Sequence, residues 1–458
     1  MTPNPALSPL SRRAFLAGAS ALAVAPLGAA AALGQVPASG TVDVIIIGAG
    51  AAGIAAARTV AAAGHSYALI EAGARVGGRA VTDTALYGVP FDLGAHRLYM
   101  PADNPMVALG MAGGLDIYPA PSSARLYVNG REAGEQDYED FVASVRRGER
   151  AIGAAGDAGR DLPAARVLPD LAPWAASAAF VMGPQICAKD LEQVSSVDFS
   201  RAEERDQGAL VRTGLGSLLD ALAAPLSVRL ETAATSINLG PRLVQVSTNR
   251  GTLSGRAVIL AIPPSLLLAG KVRISPALPL RYRSAVERIT LGAFDHVAFL
   301  LPGNPLKLLN DETVHVKAQT KRTFSLLGRV GGSDLHILQV GGSFAEALAK
   351  EPPAAGVAFV KEALTQEFGA EIAARAANVR RTRWTQDPLA LGAFSCALPG
   401  SGALRRAFTE VVGGRMMFAG EHAHETLWGT VHGAWASGTR AAGQALKLLG
   451  TGAASAAP

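Results

Sequence analysis

The stretch DVIIIGAGAAGIAAARTV, residues 43–60, constrains the fold of this chain more than any other. Residues 42–47 form a mostly β-branched apolar run, the pattern of a strand buried on both faces of a parallel sheet. Residues 51–63 then read as a helix. Between them, Gly48 permits a tight turn, Gly50 lets the backbone approach a pyrophosphate, and Gly53 lets helix and strand pack closely. The helix N-terminus, with Ala52 in its first turn, would face the phosphates. Residues 66–70 read as the next strand. Glu71, 18 residues after Gly53, closes it where a carboxylate can accept ribose hydroxyls, with Ala72 beside it. Strand, turn, helix, strand and acid in register predict an α/β, Rossmann-type dinucleotide-binding unit.

With 458 residues, 49% hydrophobic and 17% charged, the chain is globular and long enough for two intertwined domains. The net charge of +5 lies partly in the first 13 residues and gives no nucleic-acid surface. Residues 11–34, SRRAFLAGASALAVAPLGAAAALG, resemble a twin-arginine export signal: Arg12 and Arg13 precede an apolar run broken by Pro26 and ending in small residues. Residues 1–40 are therefore expected to be an export signal and linker, and the mature protein a periplasmic or secreted one without a stable membrane anchor. Only Cys187 and Cys396 are present, so at most one disulfide can form, and the sequence leaves it open. His422 and His424 form a lone H-x-H, and no metal site is expected.

Downstream, EAGARVGGR (71–79) brings a second glycine pair and Arg79, a guanidinium near the pyrophosphate. With FDLGAHRLY (91–99), RLETAATSI (229–237), AVILAIPP (257–264), Trp384 followed by DPLALGAFS (387–395), and FAGEHAHETLWGTVHGAWASGTRAA (418–442), the chain resembles the flavin-containing amine oxidases. That group includes monoamine and polyamine oxidases and L-amino-acid oxidase relatives. The resemblance spans about 42–442 and implies FAD that stays bound. It also implies an FAD-binding domain assembled from 42–115, 205–265 and 385–449, with an interleaved α+β substrate-binding domain from 116–204 and 266–384, and a tail at 450–458. Residues 297–301 and 336–340 read as strands of the sheet that floors a substrate cavity.

Residue by residue, the resemblance places Glu71 on the adenosine ribose, Gly78 and Arg79 on the phosphates, and the Ala234 backbone on the adenine edge. Gly94, Ala95, His96 and Arg97 would run along the isoalloxazine, Trp384 would pack near it, and Gly420, Glu421, Thr430 and Val431 would meet it from the other end. Three departures matter. Where monoamine oxidases attach flavin through a cysteine, this chain has Leu391, Gly392 and Ala393, so non-covalent FAD is expected and Cys396 reads as a small buried hydrophobe. Of the two aromatic residues that flank the flavin, Phe394 matches one while Thr430 replaces the other, with Trp428 as an alternative wall. His296 stands where the family has a lysine holding a water against flavin N5. Imidazole titrates near neutrality and can hold the same water.

The expected reaction is oxidation of an amine to an imine by hydride transfer to the flavin, followed by hydrolysis, with His296, Phe394, Thr430 and Arg97 as the catalytic set. Electrons would pass to oxygen or to a periplasmic redox carrier, and a homodimer is an allowed assembly. Arg97, in a GAHR run similar to that of L-amino-acid oxidases, supports a second reading in which it pairs with a substrate carboxylate. A reading of another class is a catalytically degenerate FAD-binding scaffold.

Overall fold

The computed structural model describes residues 40–122, 124–205 and 207–453. Most of the expected export segment and the end of the expected tail lie outside these residues. The dinucleotide-type unit forms where the local pattern puts it: β1 (Val42–Ile47), α1 (Ala51–Ala62) and β2 (Tyr67–Ile70). Gly48 adopts a φ of +101°, and a Cβ on Gly53 would lie 1.8 Å from the Gly48 carbonyl oxygen. Larger residues at these two positions would open the turn that sets helix against strand.

β1 pairs in parallel with β2 on one side and with β3 (Gly251–Leu260) on the other. The sequence marks only the apolar end of β3; its first half is a hairpin arm that pairs antiparallel with Val244–Thr248. Its last three residues pair in parallel with Met416–Phe418. Among the described residues, nine strands join this sheet, drawn from residues 42–70, 228–275 and 411–418. Strand alternation divides its core. Val44, Ile46, Leu69, Ile259 and Met417 pack toward α1 and the helix Val431–Ala453, while Ile45, Ile47, Val258 and Leu260 pack toward Ile237, Val246 and Phe418. Each fully buried aliphatic side chain contributes roughly 1.5–3 kcal/mol. The helix Val431–Ala453 runs past the expected end at 449, where no proline stops it.

A second sheet has seven strands in the order Ala377–Arg381, Phe294–Leu300, Leu335–Gly341, Ser325–Gly328, Glu312–Val316, Ala124–Val128, Arg131–Glu132. The runs expected at 297–301 and 336–340 belong to two adjacent antiparallel strands, with His296 opposite Gln339. Val297, Phe299, Leu338 and Val340 face a core with Phe359, Val360 and Leu364. Period-two alternation therefore turns His296 and Gln339 to the other face, toward the cavity. Among the described residues, no helix is long and apolar enough to cross a membrane, and no group of three or more His, Cys, Asp or Glu could hold a metal ion.

Candidate active site

A cavity of about 1600 Å³ runs from the glycine turn of β1 and α1 to the His296 face of the second sheet. That exceeds the roughly 300–1,000 Å³ usual for one small molecule, leaving room for a cofactor and a substrate. Its wall takes in Gly48, Gly50, Ala52, Glu71, Ala72, Gly78, Arg79, Gly94, Ala95, His96, Arg97, Ala234, Trp384, Gly420, Glu421, Thr430 and Val431, together with His296 and Phe394. Gly53 is the one expected contact that does not border it, because its place is behind the turn against the Gly48 carbonyl.

The near end fits a dinucleotide. No side chain caps the N-terminus of α1, so its first N–H groups lie open to the cavity. A Cβ on Gly50 would meet nothing closer than 4.0 Å, which leaves space beside the turn. Glu71 is held in place by accepting the Ala49 and Gly73 N–H groups, each at 2.8 Å, one on each carboxylate oxygen. Both oxygens keep lone pairs for further donors.

Arg79 and Glu421, both expected to reach cofactor groups, also form an ion pair of 2.9 Å. Arg79 Nη1 donates to the Ala393 carbonyl as well, at 2.6 Å. Glu421 accepts from the Ser395 hydroxyl at 2.7 Å and from the Gly429 N–H at 2.8 Å. Burial alone would raise its pKa, but the Arg79 guanidinium, His422, the Ser395 hydrogen bond and Arg405 outweigh it and hold the carboxyl down at about 2. The Glu421 carboxylate is thus spent on the protein, tying the 393–395 and 429 segments together. Sequence reading missed the next link: Arg405, 1% exposed, donates to both oxygens of Asp198 at 2.8 and 2.5 Å and to the Ser395 hydroxyl at 3.0 Å. Arg405 lies in an ordinary charged run, and nothing local marks it as buried.

At the far end, the His296 ring accompanies His96, with centroids 5.7 Å apart, and Phe294 at 6.1 Å. Phe294 in turn meets Phe394 at 5.8 Å. Nδ1 of His296 lies 3.0 Å from the Asp92 carbonyl oxygen, which can only accept. That nitrogen therefore carries the proton, and Nε2 is an acceptor. Burial lowers the His296 pKa to about 4, only partly opposed by the Asp92 bond, so the ring is neutral at pH 7. His96 is also held well below the usual range, by burial and then by His296 and Arg97.

Of the two tryptophans expected near the ring system, Trp384 borders the cavity and Trp428 does not. Trp384 does line the cavity, fixed by its indole N–H on the Leu93 carbonyl at 2.9 Å and by its backbone N–H on Asp295 at 3.0 Å. Trp428 is fully buried away from the wall, between the guanidinium groups of Arg205 and Arg405 at 4.8 and 5.2 Å, so it is a core anchor. Thr430 borders the cavity, but its hydroxyl donates to the Leu427 carbonyl at 2.6 Å and accepts the Gly433 N–H at 2.9 Å. It is the N-cap of the helix that begins at Val431, and from that position it borders the cavity. Cys187 and Cys396 are free and buried in one apolar cluster, and the cavity wall carries Ala393 but not Cys396.

The family model described as flavin containing amine oxidoreductase matches residues 51–446. Polyamine oxidase 4 of Oryza sativa subsp. japonica is 27% identical over 439 residues, which cover 89% of each chain. Among solved structures, cyclohexylamine oxidase from Brevibacterium oxydans IH-35A is similar with a TM-score of 0.75 and 23% identity, covering 90% of this chain and 100% of that one. Wild-type putrescine oxidase bound to putrescine is similar with a TM-score of 0.75 and 20% identity, covering 89% and 99%. These structural likenesses bear on the fold.

Proposed function

The chain belongs to the flavin-containing amine oxidoreductase family, and on that premise we propose that it oxidises the C–N bond of an amine to an imine, using FAD held without a covalent bond. One continuous cavity carries this reading: it joins an open helix N-terminus and Glu71 to a chamber of neutral imidazoles and aromatic rings. We assign the first sheet and its helices to the cofactor and the second sheet to the substrate, along the boundaries expected from the sequence.

Glu71, the N–H groups at the start of α1 and the backbone at Ala234 would hold the dinucleotide, with Gly94–Arg97, Trp384 and Val431 along the ring system. Bound there, the flavin supplies the two-electron acceptor. The protein's own contribution is orientation and proton handling. Phe294 and Phe394 form an apolar wall that favours an uncharged amine nitrogen over an ammonium. Nε2 of His296 is available to hold a water or take a proton, because Nδ1 is committed to Asp92. A lysine would offer donors there; neutral imidazole offers an acceptor. Ala393 at the position of covalent attachment supports dissociable flavin.

We further propose export through the twin-arginine route, resting on Arg12 and Arg13, with oxygen or a periplasmic redox carrier as the electron acceptor. The test of the central reading is anaerobic mixing of the yellow protein with a panel of amines. Bleaching of the flavin absorbance by at least one amine is expected. A flavin that no amine bleaches overturns the reading in favour of the scaffold alternative.

A further inference from the structure

We propose that a row of uncharged hydrogen-bonding side chains on the chamber floor, with Gln339 and Gln185 as its reading groups, recognises a carboxamide-type group on the amine. This rests on the amine-oxidation reading and names a substrate class for the same site.

Strand register builds the row. In the second sheet His296 stands opposite Gln339, Gln339 opposite Ser325, and Ser325 opposite His315. The four residues form one line across four adjacent strands, and alternation turns that line to the cavity. His296, Gln339 and His315 border the cavity, and Ser325, fully buried, is bonded to two residues of its wall. With strands about 5 Å apart, Gln339 and Ser325 lie roughly 5–10 Å along the floor from His296. A short alkyl chain spans that distance.

Gln185 reaches the row from a different element. Val181–Gln185 is a single π-helical turn, one residue wider than an α-turn, and such turns frequently carry functional side chains. It is seated on the strand that carries Gln339: a Cβ on Gly341 would lie 2.8 Å from Pro184 Cβ. Gln185 Nε2 donates to the Ser325 hydroxyl at 2.7 Å, which donates on to Gln339 Oε1 at 3.1 Å. The hydroxyl has one proton, so in whichever sense the chain runs it engages the nitrogen of one amide and the oxygen of the other. Gln339 keeps its N–H donors for the cavity, and Gln185 keeps its carbonyl oxygen. One donor beside one acceptor is the complement of a carboxamide, which offers a C=O and an N–H.

Every side chain that this sheet gives to the cavity wall is uncharged at neutral pH. The imidazoles at the two ends of the row are both lowered to about 4, chiefly by burial. The charged side chains that border the cavity belong to other elements. An ammonium or a carboxylate set on this row would lose its water without gaining a counter-charge from it, whereas a neutral amide regains the hydrogen bonds it gives up.

The experiment uses amines that differ in the terminal group: 6-aminohexanamide, its hydrocarbon isostere 6-methylheptylamine, 6-aminohexanoate and 1,6-diaminohexane, with 4-aminobutanamide and 4-methylpentylamine as a shorter pair. Anaerobic flavin reduction in the holoenzyme gives an apparent Kd and a limiting rate for each. In at least one pair the carboxamide is expected to bind about tenfold tighter than its isostere, roughly the effect of one net hydrogen bond. It should also bind tighter than either charged analogue. Gln339→Leu and Gln185→Leu should each reduce that preference about tenfold, while a packing role alone would weaken amide and isostere alike. FAD content of each variant shows that it has folded. If one variant does not hold FAD, the other carries the comparison, because the two residues come from a strand and a separate turn. An isostere that binds as tightly in both pairs, a charged analogue that binds tighter than the amide, or equal losses on amide and isostere overturns the proposal and leaves amine oxidation standing. If no amine bleaches the flavin, thermal-shift titration with hexanamide still decides the site. Saturable binding lost in Gln339→Leu supports it; no binding, or binding that Gln339→Leu leaves unchanged, ends it.

Discussion

Replacing Glu421 by glutamine removes a charge that the fold has been built to hold. In the folded protein its carboxyl ionises at about 2, against 4.5 for an unperturbed glutamate. That difference favours the charged form by about 3 kcal/mol, at 1.36 kcal/mol per pH unit. The group is buried, its side chain 7% exposed, so the figure needs no large discount for solvent screening. It matches the roughly 3–5 kcal/mol lost when one partner of a buried pair is removed. Glutamine keeps the shape but turns one acceptor into a donor, which must then face Arg79, Ser395 or Gly429, all of them donors. At pH 7 the Glu421→Gln variant should unfold in urea with a free energy about 3 kcal/mol lower than the parent. The sign with pH follows. A depressed carboxylate contributes its full stability above its unfolded value of 4.5 and loses it as pH falls toward 2, so the gap should narrow below pH 4.5. A loss under about 1 kcal/mol at pH 7 would refute the reasoning, because the ion pair would then only offset its own burial.

Four further outcomes are expected. Acid precipitation should release the flavin into the supernatant, and yellow colour retained in a washed pellet would mean covalent attachment despite Ala393. His296→Ala should slow flavin reduction or reoxidation by roughly ten- to a thousandfold with normal FAD content, and no ionisation of this ring should appear in the parent between pH 6 and 9, since it titrates at about 4; the depressed value also means that its stabilising contribution is full above 6.5 and lost as pH falls to 4. Thr430→Ala should lower the unfolding free energy by about 1 kcal/mol, the usual loss of a helix N-cap, and unchanged stability would show that its hydroxyl does not cap the helix. Lysine at both Arg12 and Arg13 should leave the precursor in the cytoplasm, which fractionation of expressing cells measures, normal export being the contrary result.

Residues 42–71 could be read directly from the chain because their signals are local. A β-branched run sets a buried strand, Gly48 supplies a backbone angle that other residues resist, and Glu71 follows at a spacing fixed by one helix and one strand. The same holds for the strand of His296, where alternation alone sends the ring and Val297 to opposite faces. What the residues facing the cavity do was not legible in this way. Arg79 and Glu421 are 342 positions apart, and Asp198 and Arg405 are 207 apart; no local pattern marks Arg405 as the partner of a buried acid. Trp384 and Trp428 are the same residue type in similar company, yet only the first reaches the cavity. Thr430, aligned with an aromatic wall, also caps a helix because Gly433 presents its N–H three residues on. Hydrophobic periodicity and turn chemistry record the cost of local conformation and burial, and the sequence by itself determined that much. Whether a charge is compensated, and whether a side chain faces a cavity or a core, depends on which distant segments meet, and only the tertiary structure decided it.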